Sequence, residues 1–382
     1  MTDRAFGTAT IANNTDTRFG FGALDGLGNV LATAKVSRPL LCTDAGLVKT
    51  GIVNTVLAKI PDDVTVTIYD GTPPNPTEAA VNDAAAAYAE GDCDAIIGLG
   101  GGSSLDLAKA VAVRATHDGD FVTFAAGRGG RIGPVMPLIA IPTTAGTGSE
   151  VSRAAIIIVE SGEKLIVFSP HLMPRVSICD PELTLGLPPG LTAATGMDAV
   201  THCLEAVISP LVNPPAEAIG IDGLERALGA GYLERAVADG SDRDARWAMM
   251  MVSTEGAMAF SKGLGCVHSM SHACGADQEM RLHHGTLNAV TLPTVLRYCH
   301  GHIGDKGDRL RSAMGLKAGA DLADTIQDLN GRLGLPPGLA AMGITDAMVP
   351  ALSAHAVADP CTITSPRPAD EAAFEGLFAD AM

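Results

Sequence analysis

The first half of the chain alternates short apolar segments with segments of helical periodicity. The segments of strand length are residues 39–43, 64–69, 95–100 and 137–142, and the helical ones between them are residues 50–60, 77–90 and 103–115. Strands that alternate with helices pair in parallel and are covered by those helices. The pattern therefore predicts an α/β domain built on a parallel sheet.

The pattern of apolar residues changes in the second half of the chain. Residues 154–160 and 164–169 flank a short polar turn and predict a hairpin at the edge of the sheet, and residues 176–182 predict its last strand. From residue 187 onward, apolar residues recur with a period near 3.6, which is typical of helices. We predict two domains, an α/β domain over residues 1–186 and an all-helical domain over residues 187–382.

Composition excludes several classes of partner. The 382 residues contain 43 acidic and 26 basic side chains, a net charge of −17. Such a chain repels nucleic acids and anionic membranes, and no run approaches the roughly 20 apolar residues of a membrane span. The N-terminus lacks the apolar run of a signal peptide, and the eight cysteines form no CxxC pair. We expect a cytoplasmic protein with reduced thiols and neither nucleic-acid nor membrane partners.

A glycine-rich segment, GLGGGSSLDLAK at residues 98–109, follows a predicted strand and opens a predicted helix. Gly101 and Gly102 allow a diphosphate to approach backbone amides at the positive end of the helix. Ser103 is the expected helix cap, with Asp106 as its capping-box partner. The segment fits neither GxGxxG nor the P-loop, and alone it is equally compatible with a structural turn.

A second polar loop, PTTAGTGSE at residues 142–150, also follows a strand. Ligands of open α/β sheets bind at the carboxyl ends of the strands, so the two loops together indicate a dinucleotide. The candidate hydroxyl groups are those of Thr143, Thr144, Thr147 and Ser149. Asp44 follows an earlier strand and is a candidate to bind the adenosine ribose, which favours NAD over NADP.

Four of the ten histidines lie within HSMSHACGADQEMRLHHG, residues 268–285. His268 and His272 are one helical turn apart, as are Asp198 and His202 in GMDAVTHCLEA. One carboxylate and several imidazoles suit Fe²⁺, Zn²⁺ or Co²⁺. The pattern is not HExxH, which disfavours a metalloprotease. The alternative is a set of unrelated core and surface histidines.

Taken together, these motifs resemble the iron-containing (group III) alcohol dehydrogenase family. The resemblance covers nearly the whole chain and follows the family's order: GGGSSLDLAK, PTTAGTGSE, DPELTLGLPPGLTAATGMDAVTHCLEA, HSMSH, HHGTLNAV and DPCTITSPRP. It implies a two-domain fold like that of dehydroquinate synthase, with a Rossmann-like NAD(P)-binding domain, a helical metal domain and a homodimeric assembly.

The resemblance also implies roles for individual residues. The metal ligands would be Asp198, His202, His268 and His284, and His272 would be an unligated proton relay. Gly101, Gly102 and Ser103 would hold the diphosphate, Thr143, Thr144 and Ser149 would line the cofactor, and Lys164 would lie near the nicotinamide ribose. A hydride would pass between NAD(H) and a small alcohol or aldehyde whose oxygen binds the metal between the domains. The metal would be Fe²⁺, with Zn²⁺ as the alternative.

Two features separate this chain from its relatives, and three alternatives stay open. The gap between His268 and His284 is longer than usual and carries GADQEMRL where aromatic residues are common, and Ser365 replaces a common asparagine. The segment should border the substrate, so the alcohol cannot be named from the sequence. The alternatives are a maleylacetate reductase of the same fold, a metal-dependent hydrolase or lyase acting on a phosphorylated substrate, and a non-catalytic metal-binding protein.

Overall fold

The computed structural model describes residues 15–277 and 279–382. The chain divides into two compact units. The α/β unit contains residues 15–144 and 148–186, and the helical unit contains residues 145–147 and the described part of 187–382.

The α/β unit contains a six-stranded parallel sheet, which confirms the predicted fold class. Its strands are β1 (Asp16–Phe19), β2 (Pro39–Cys42), β3 (Thr67–Tyr69), β4 (Ala95–Gly100), β5 (Leu138–Pro142) and β8 (Val176–Cys179), in the order β1-β8-β5-β4-β2-β3. The chain runs outward from β2 to β3 and then returns to pair β4 on the other side of β2. The carboxyl ends of β2 and β4 therefore form a switch point, where sheets of this kind bind ligands.

Five helices accompany this sheet: α1 (Leu27–Ala34), α2 (Ala45–Thr50), α3 (Ile52–Leu57), α4 (Glu78–Glu90) and α5 (Gly102–Thr116). Successive side chains of a strand alternate between faces, so the sheet has a core on each side. Leu40 and Ile96 pack in one core with α4 and α5, whereas Leu41 and Ile97 pack in the other with α1 and α3. Both faces are buried, as a parallel sheet requires.

The structure corrects three details of the predicted α/β domain. The hairpin forms from β6 (Ala154–Ile158) and β7 (Lys164–Phe168), but it is a separate two-stranded sheet rather than an edge of the main one. The edge position next to β8 belongs to β1, which the sequence analysis missed. The helix expected over residues 50–60 is the shorter α3, Ile52–Leu57, and Gly51, with a φ of 82°, separates it from α2.

The helical unit contains ten α-helices among its described residues. They are α6 (Pro189–Ile208), α7 (Pro214–Leu224), α8 (Tyr232–Ala238), α9 (Arg243–Ala259), α10 (Cys266–Gly275), α11 (His284–Cys299), α12 (Lys306–Ala313), α13 (Leu322–Arg332), α14 (Val349–Ala358) and α15 (Glu371–Asp380). Within the described ranges, no helix combines the length and the apolar character that crossing a bilayer demands.

Helix α6 lies at the centre of this unit and contacts α7, α8, α9 and α11. Its packing is close: a Cβ at Gly196 would lie 2.3 Å from Leu233. Its carboxyl end carries carbonyl groups without partners in the helix, and Lys262 supplies them with donors. The buried Lys262 Nζ lies 2.8, 3.0 and 2.7 Å from the carbonyl oxygens of Ala206, Val207 and Ser209. A buried cation thus anchors the end of α6.

Replacing this cation should destabilise the unit strongly. We expect Lys262→Met to lower the free energy of unfolding by about 2–5 kcal/mol, because it leaves the buried carbonyls of Ala206 and Val207 without this donor and leaves Glu217 with Arg309 alone. Chemical denaturation of the full chain measures the effect. The exposed Lys317→Met is the control and should change stability by less than about 0.5 kcal/mol. Equal stability of the two variants would contradict this account of α6.

Candidate metal centre and cofactor-binding loops

Three helices of the helical unit bring four predicted metal ligands together. Asp198 and His202 lie one turn apart on α6, His268 lies on α10, and His284 is the first residue of α11. The first three are only 1–3% exposed to solvent. These helices are buried around these positions, so the side chains of Asp198, His202 and His268 lie in the interior of the unit.

The spacing of the ligand atoms fits a single ion. The Asp198 Oδ1 lies 3.7 Å from His202 Nε2 and 3.6 Å from His284 Nε2. Two atoms each about 2.1 Å from a tetrahedral metal lie about 3.4 Å apart, so these separations are close to those of a coordination shell. The ligand atoms of Asp198, His202 and His268 all lie within 4.8 Å of one another.

Hydrogen bonds on the far side of two rings fix their orientation. The Nδ1 of His268 lies 2.6 Å from Glu205 Oε2, and the other oxygen of Glu205 accepts a hydrogen bond of 2.9 Å from the Val267 amide. The Nδ1 of His284 lies 2.8 Å from Ser271 Oγ. Each contact turns the Nε2 atom toward Asp198. Carboxylates bound in this way behind metal-ligating histidines also make the imidazole more basic.

The protonation of the histidines follows from their surroundings. Burial lowers the pKa of His202 to about 4, so its ring is neutral near pH 7, the form that binds a metal. Burial also opposes a charge on His268, but the hydrogen bond and the charge of Glu205 raise the pKa of this ring overall. A cation at the centre would take the place of that proton.

His272 lies beside the four residues. It is one turn beyond His268 on α10, and its ring stacks on that of His284 with centroids 5.3 Å apart. Its Nδ1 lies 2.8 Å from Asp359 Oδ2, while its Nε2 is buried without a partner among the described residues. Burial opposes the charge of Asp359, but His272 holds the pKa of this carboxyl far below its usual value. The arrangement leaves one ring nitrogen available for a ligand or a proton.

The sequence analysis assigned no role to Asn288, Asp359, Ser271 or Glu205. Asn288 lies four residues after His284, so the helical period places both on one face of α11 and was a usable signal. Asp359 follows α14, 87 residues from its partner His272, and no local pattern connects the two. His283 caps α11 through its Nδ1, and it is His284 that faces Asp198.

Most of the predicted cofactor residues lie in the α/β unit at the carboxyl ends of three adjacent strands, whereas Lys164 begins β7 of the separate hairpin. Asp44 follows β2, residues 101–103 follow β4, and Thr143 and Thr144 follow β5. The Thr143 amide donates a hydrogen bond of 3.0 Å to the Gly100 carbonyl, and a Cβ at Gly101 would lie 3.4 Å from Thr144. The two glycine- and threonine-rich loops are therefore neighbours at the switch point of the sheet.

The predicted capping box is wrong. Gly101 is the N-cap of α5 and makes no side-chain cap hydrogen bond, and the Ser103 hydroxyl donates to the Pro74 carbonyl. Asp106 faces the interior, where its carboxylate accepts hydrogen bonds of 2.6 Å from Ser149 Oγ and 3.0 Å from the Ile156 amide. The Ser104 amide donates a hydrogen bond of 3.1 Å to the Gly101 carbonyl, so the amides of Gly102 and Ser103 are the ones that the first turn of α5 can offer to a ligand.

Two of the remaining predicted cofactor residues, Asp106 and Ser149, belong to a buried hydrogen-bond network. Lys109 Nζ lies 2.7 Å from Ser149 Oγ, so both Ser149 and Asp106 use their polar atoms inside the protein. Burial raises the pKa of Asp106, although the charges of Lys109 and Lys164 oppose this. Thr147 groups with the helical unit. These residues support the loop after β5 rather than present free groups.

Comparisons with known proteins identify the family of the chain. Residues 14–181 match the family described as Iron-containing alcohol dehydrogenase, and residues 192–382 match the C-terminal domain of the Fe-containing alcohol dehydrogenase family. The chain belongs to the iron-containing alcohol dehydrogenase family. Its members with similar sequences include the 4-hydroxybutyrate dehydrogenase of Cupriavidus necator, 50% identical over 95% of this chain and 97% of that one.

Other members of the family extend the comparison. The 1,3-propanediol dehydrogenase of Klebsiella pneumoniae is 36% identical over 95% of this chain and 96% of its own. The crystal structure of a 1,3-propanediol oxidoreductase superimposes with a TM-score of 0.93 at 34% identity, covering 98% of this chain and 100% of the other. As an iron-containing alcohol dehydrogenase, the protein is an oxidoreductase that acts on alcohols with NAD and a metal as cofactors. This sets aside the hydrolase, lyase and non-catalytic alternatives.

The metal centre makes a direct prediction. We expect His268→Ala to weaken metal binding by more than the roughly 10–100-fold that loss of an outer hydrogen bond costs, because it removes a ligand atom. Elemental analysis after dialysis against a weak chelator measures bound metal per chain. The exposed His302→Ala is the control and should retain wild-type metal. Equal metal content in the two variants would exclude His268 as a ligand.

Proposed function

We propose that this enzyme interconverts 4-hydroxybutyrate and succinate semialdehyde with NAD(H), using Fe²⁺ held by Asp198, His202, His268 and His284. The observation that carries the metal assignment is the convergence of one carboxylate oxygen and three imidazole Nε2 atoms in a buried cluster. The substrate follows from the Cupriavidus necator relative, which is half identical over nearly the full length of both chains.

The proposed ligands are suited to a divalent metal ion of intermediate softness. One carboxylate and three imidazoles suit Fe²⁺, and Zn²⁺ is the alternative with the same preferences. Such an ion supplies Lewis acidity, which lowers the pKa of a bound alcohol and polarises the corresponding aldehyde. The protein contributes fixed ring orientations, because Glu205 and Ser271 hold the rings of His268 and His284 from behind.

The remaining roles fall to residues beside the metal and at the sheet edge. His272, aligned by Asp359, would accept the proton that the alcohol loses, through its unpartnered Nε2. The amides of Gly101, Gly102 and Ser103 would hold the diphosphate, and Thr143, Thr144 and Lys164 would border the rest of the cofactor. Ser149, Asp106 and Thr147 would act by shaping the loop after β5. The family resemblance also supports a homodimer.

Asp44 supports NAD rather than NADP. Its Oδ1 accepts hydrogen bonds of 2.8 and 3.1 Å from the amides of Gly46 and Leu47, which caps α2 at the end of β2. The second carboxylate oxygen remains for the hydroxyls of an adenosine ribose. A 2′-phosphate at the same position would meet the negative charge of this side chain.

Arg281 is the candidate partner of the substrate carboxylate. It lies in the segment between α10 and α11, three residues before His284, and is exposed. Among the described residues, no hydrogen bond or ion pair occupies its guanidinium group. Its φ of 49° is unusual for a residue other than glycine, and such backbone conformations concentrate at functional sites. A hydroxy acid needs a cation besides the metal, and a guanidinium group binds carboxylates in a bidentate manner.

The substrate proposal is tested by turnover. Anaerobically Fe²⁺-loaded enzyme should reduce NAD with 4-hydroxybutyrate at a higher kcat/KM than with 1,4-butanediol, 1-butanol or 1,3-propanediol, and a strong chelator should abolish the activity. Absorbance at the NADH band measures the rates. A preference for the uncharged alcohols would contradict the hydroxy-acid assignment, and chelator-resistant turnover would contradict the metal assignment. Reduction of maleylacetate in preference to succinate semialdehyde would favour the other branch of the fold.

Arg281 gives a second test of substrate recognition. We expect Arg281→Gln to lower kcat/KM for 4-hydroxybutyrate by about 10–100-fold, the kinetic equivalent of losing a charged hydrogen bond of about 1.5–3 kcal/mol. Activity with 1-butanol should stay unchanged, because that substrate has no carboxylate. A parallel loss with both substrates would show that Arg281 acts on the fold of the segment and not on the carboxylate.

A further inference from the structure

Asn288 contacts three of the four residues that we assign to the metal. It lies on α11 one turn after His284, and it is fully buried. Its Nδ2 lies 2.7 Å from Asp198 Oδ1, 3.2 Å from His284 Nε2 and 3.3 Å from His268 Nε2. No other amide among the described residues makes such a set of contacts with the cluster.

The contacts of Asn288 are unequal in strength. The short contact with Asp198 joins a donor to an ionised acceptor, which gives a stronger hydrogen bond than a neutral pair. The contacts with the two rings are longer, and an amide nitrogen has only two hydrogens to share among three acceptors. The bond to Asp198 is therefore the dominant one.

The carbonyl oxygen of the Asn288 side chain makes no compensating interaction. Asn288 Oδ1 is buried and has no hydrogen-bond partner among the described residues. An unsatisfied buried carbonyl costs about 1–3 kcal/mol, so this half of the side chain does not stabilise the fold. Asn288 is thus explained by what its Nδ2 does at the cluster.

We propose that Asn288 is a positioning residue of the metal centre, whose amide holds the Asp198 carboxylate in the orientation that presents it to the metal. Asp198 Oδ1 is the atom from which the distances to His202 and His284 approach those of a coordination shell. The terminal torsion of an aspartate is broad, so the carboxylate needs an external restraint to keep this direction. This inference rests on the metal ligands assigned under the proposed function.

Asn330 provides a matched control. It is also a buried asparagine whose Oδ1 has no partner, and its Nδ2 donates a hydrogen bond of 2.6 Å to the carbonyl of Ala289, the residue after Asn288. It belongs to α13, and among the described residues it makes no hydrogen bond with any of the assigned ligands. Truncating Asn330 therefore removes an equally buried amide from the same helix pair without touching the cluster.

Metal titration of the full-length, metal-free protein tests the proposal. We expect Asn288→Ala to bind Co²⁺ about 10–100-fold more weakly than the wild type, the usual cost of losing a second hydrogen-bonded layer around a metal. Asn330→Ala should stay within about threefold of the wild type. Equal affinity of Asn288→Ala and the wild type, or equal losses in both variants, would overturn the proposal. A wild type that binds no stoichiometric Co²⁺ would instead refute the ligand set itself.

The visible spectrum of bound Co²⁺ provides a readout that does not depend on overall stability. Asn288→Leu has nearly the same size and shape but has no N–H donor, charge or metal-binding atom, so it tests the hydrogen bond even if the alanine variant fails to fold. We expect its Co²⁺ ligand-field bands to differ in position and intensity from those of the wild type, and those of Asn330→Ala to match the wild type. Unchanged bands in Asn288→Leu would overturn the proposal.

Discussion

The structure of the helical unit depends on a buried carboxylate. Asp198 is 3% exposed, and moving an ionised carboxylate out of water is costly unless donors or cations replace the lost hydration. Asn288 supplies one donor, and the imidazoles of His202 and His284 face the same oxygen. A divalent cation among these atoms would complete the compensation. Its helix, α6, is buried along most of its length, and Lys262 binds the carbonyl groups at its carboxyl end.

Helix α10 carries two histidine–carboxylate pairs. Two histidines one turn apart each contact a carboxylate through Nδ1, His268 with Glu205 and His272 with Asp359. Both pairs leave Nε2 pointing inward, but only the first ring belongs to the assigned ligands. One helix therefore presents a proposed metal ligand and a ring nitrogen without a partner among the described residues side by side, and acids from two distant parts of the chain hold the two rings. This division would suit an alcohol oxidation, in which a base beside the substrate accepts the proton that the alcohol loses.

Sequence patterns predicted features that depend on local spacing. The buried strand β4 and its glycine-rich turn are continuous in sequence, and Asp198 and His202 share a helix face because they are four residues apart. Strand β1 was not predicted because its residues, DTRF, alternate between half-buried and exposed positions and contain no apolar run. Asp106 was misassigned because its spacing from Ser103 fits a capping box, whereas Ser149, 43 residues away, holds it in the interior. Asp359 likewise depends on a tertiary contact that no local pattern encodes.

Crystals grown anaerobically with Fe²⁺ and measured on both sides of the iron absorption edge test the central claim most directly. The account predicts one anomalous peak about 2.0–2.2 Å from the carboxylate of Asp198 and the Nε2 atoms of His202, His268 and His284. The side chains of His272, Asp359 and Cys361 form a second group whose ligand atoms lie within 4.8 Å of one another. A peak there, or none at Asp198, would contradict the assignment of the metal and of His272 as the free base.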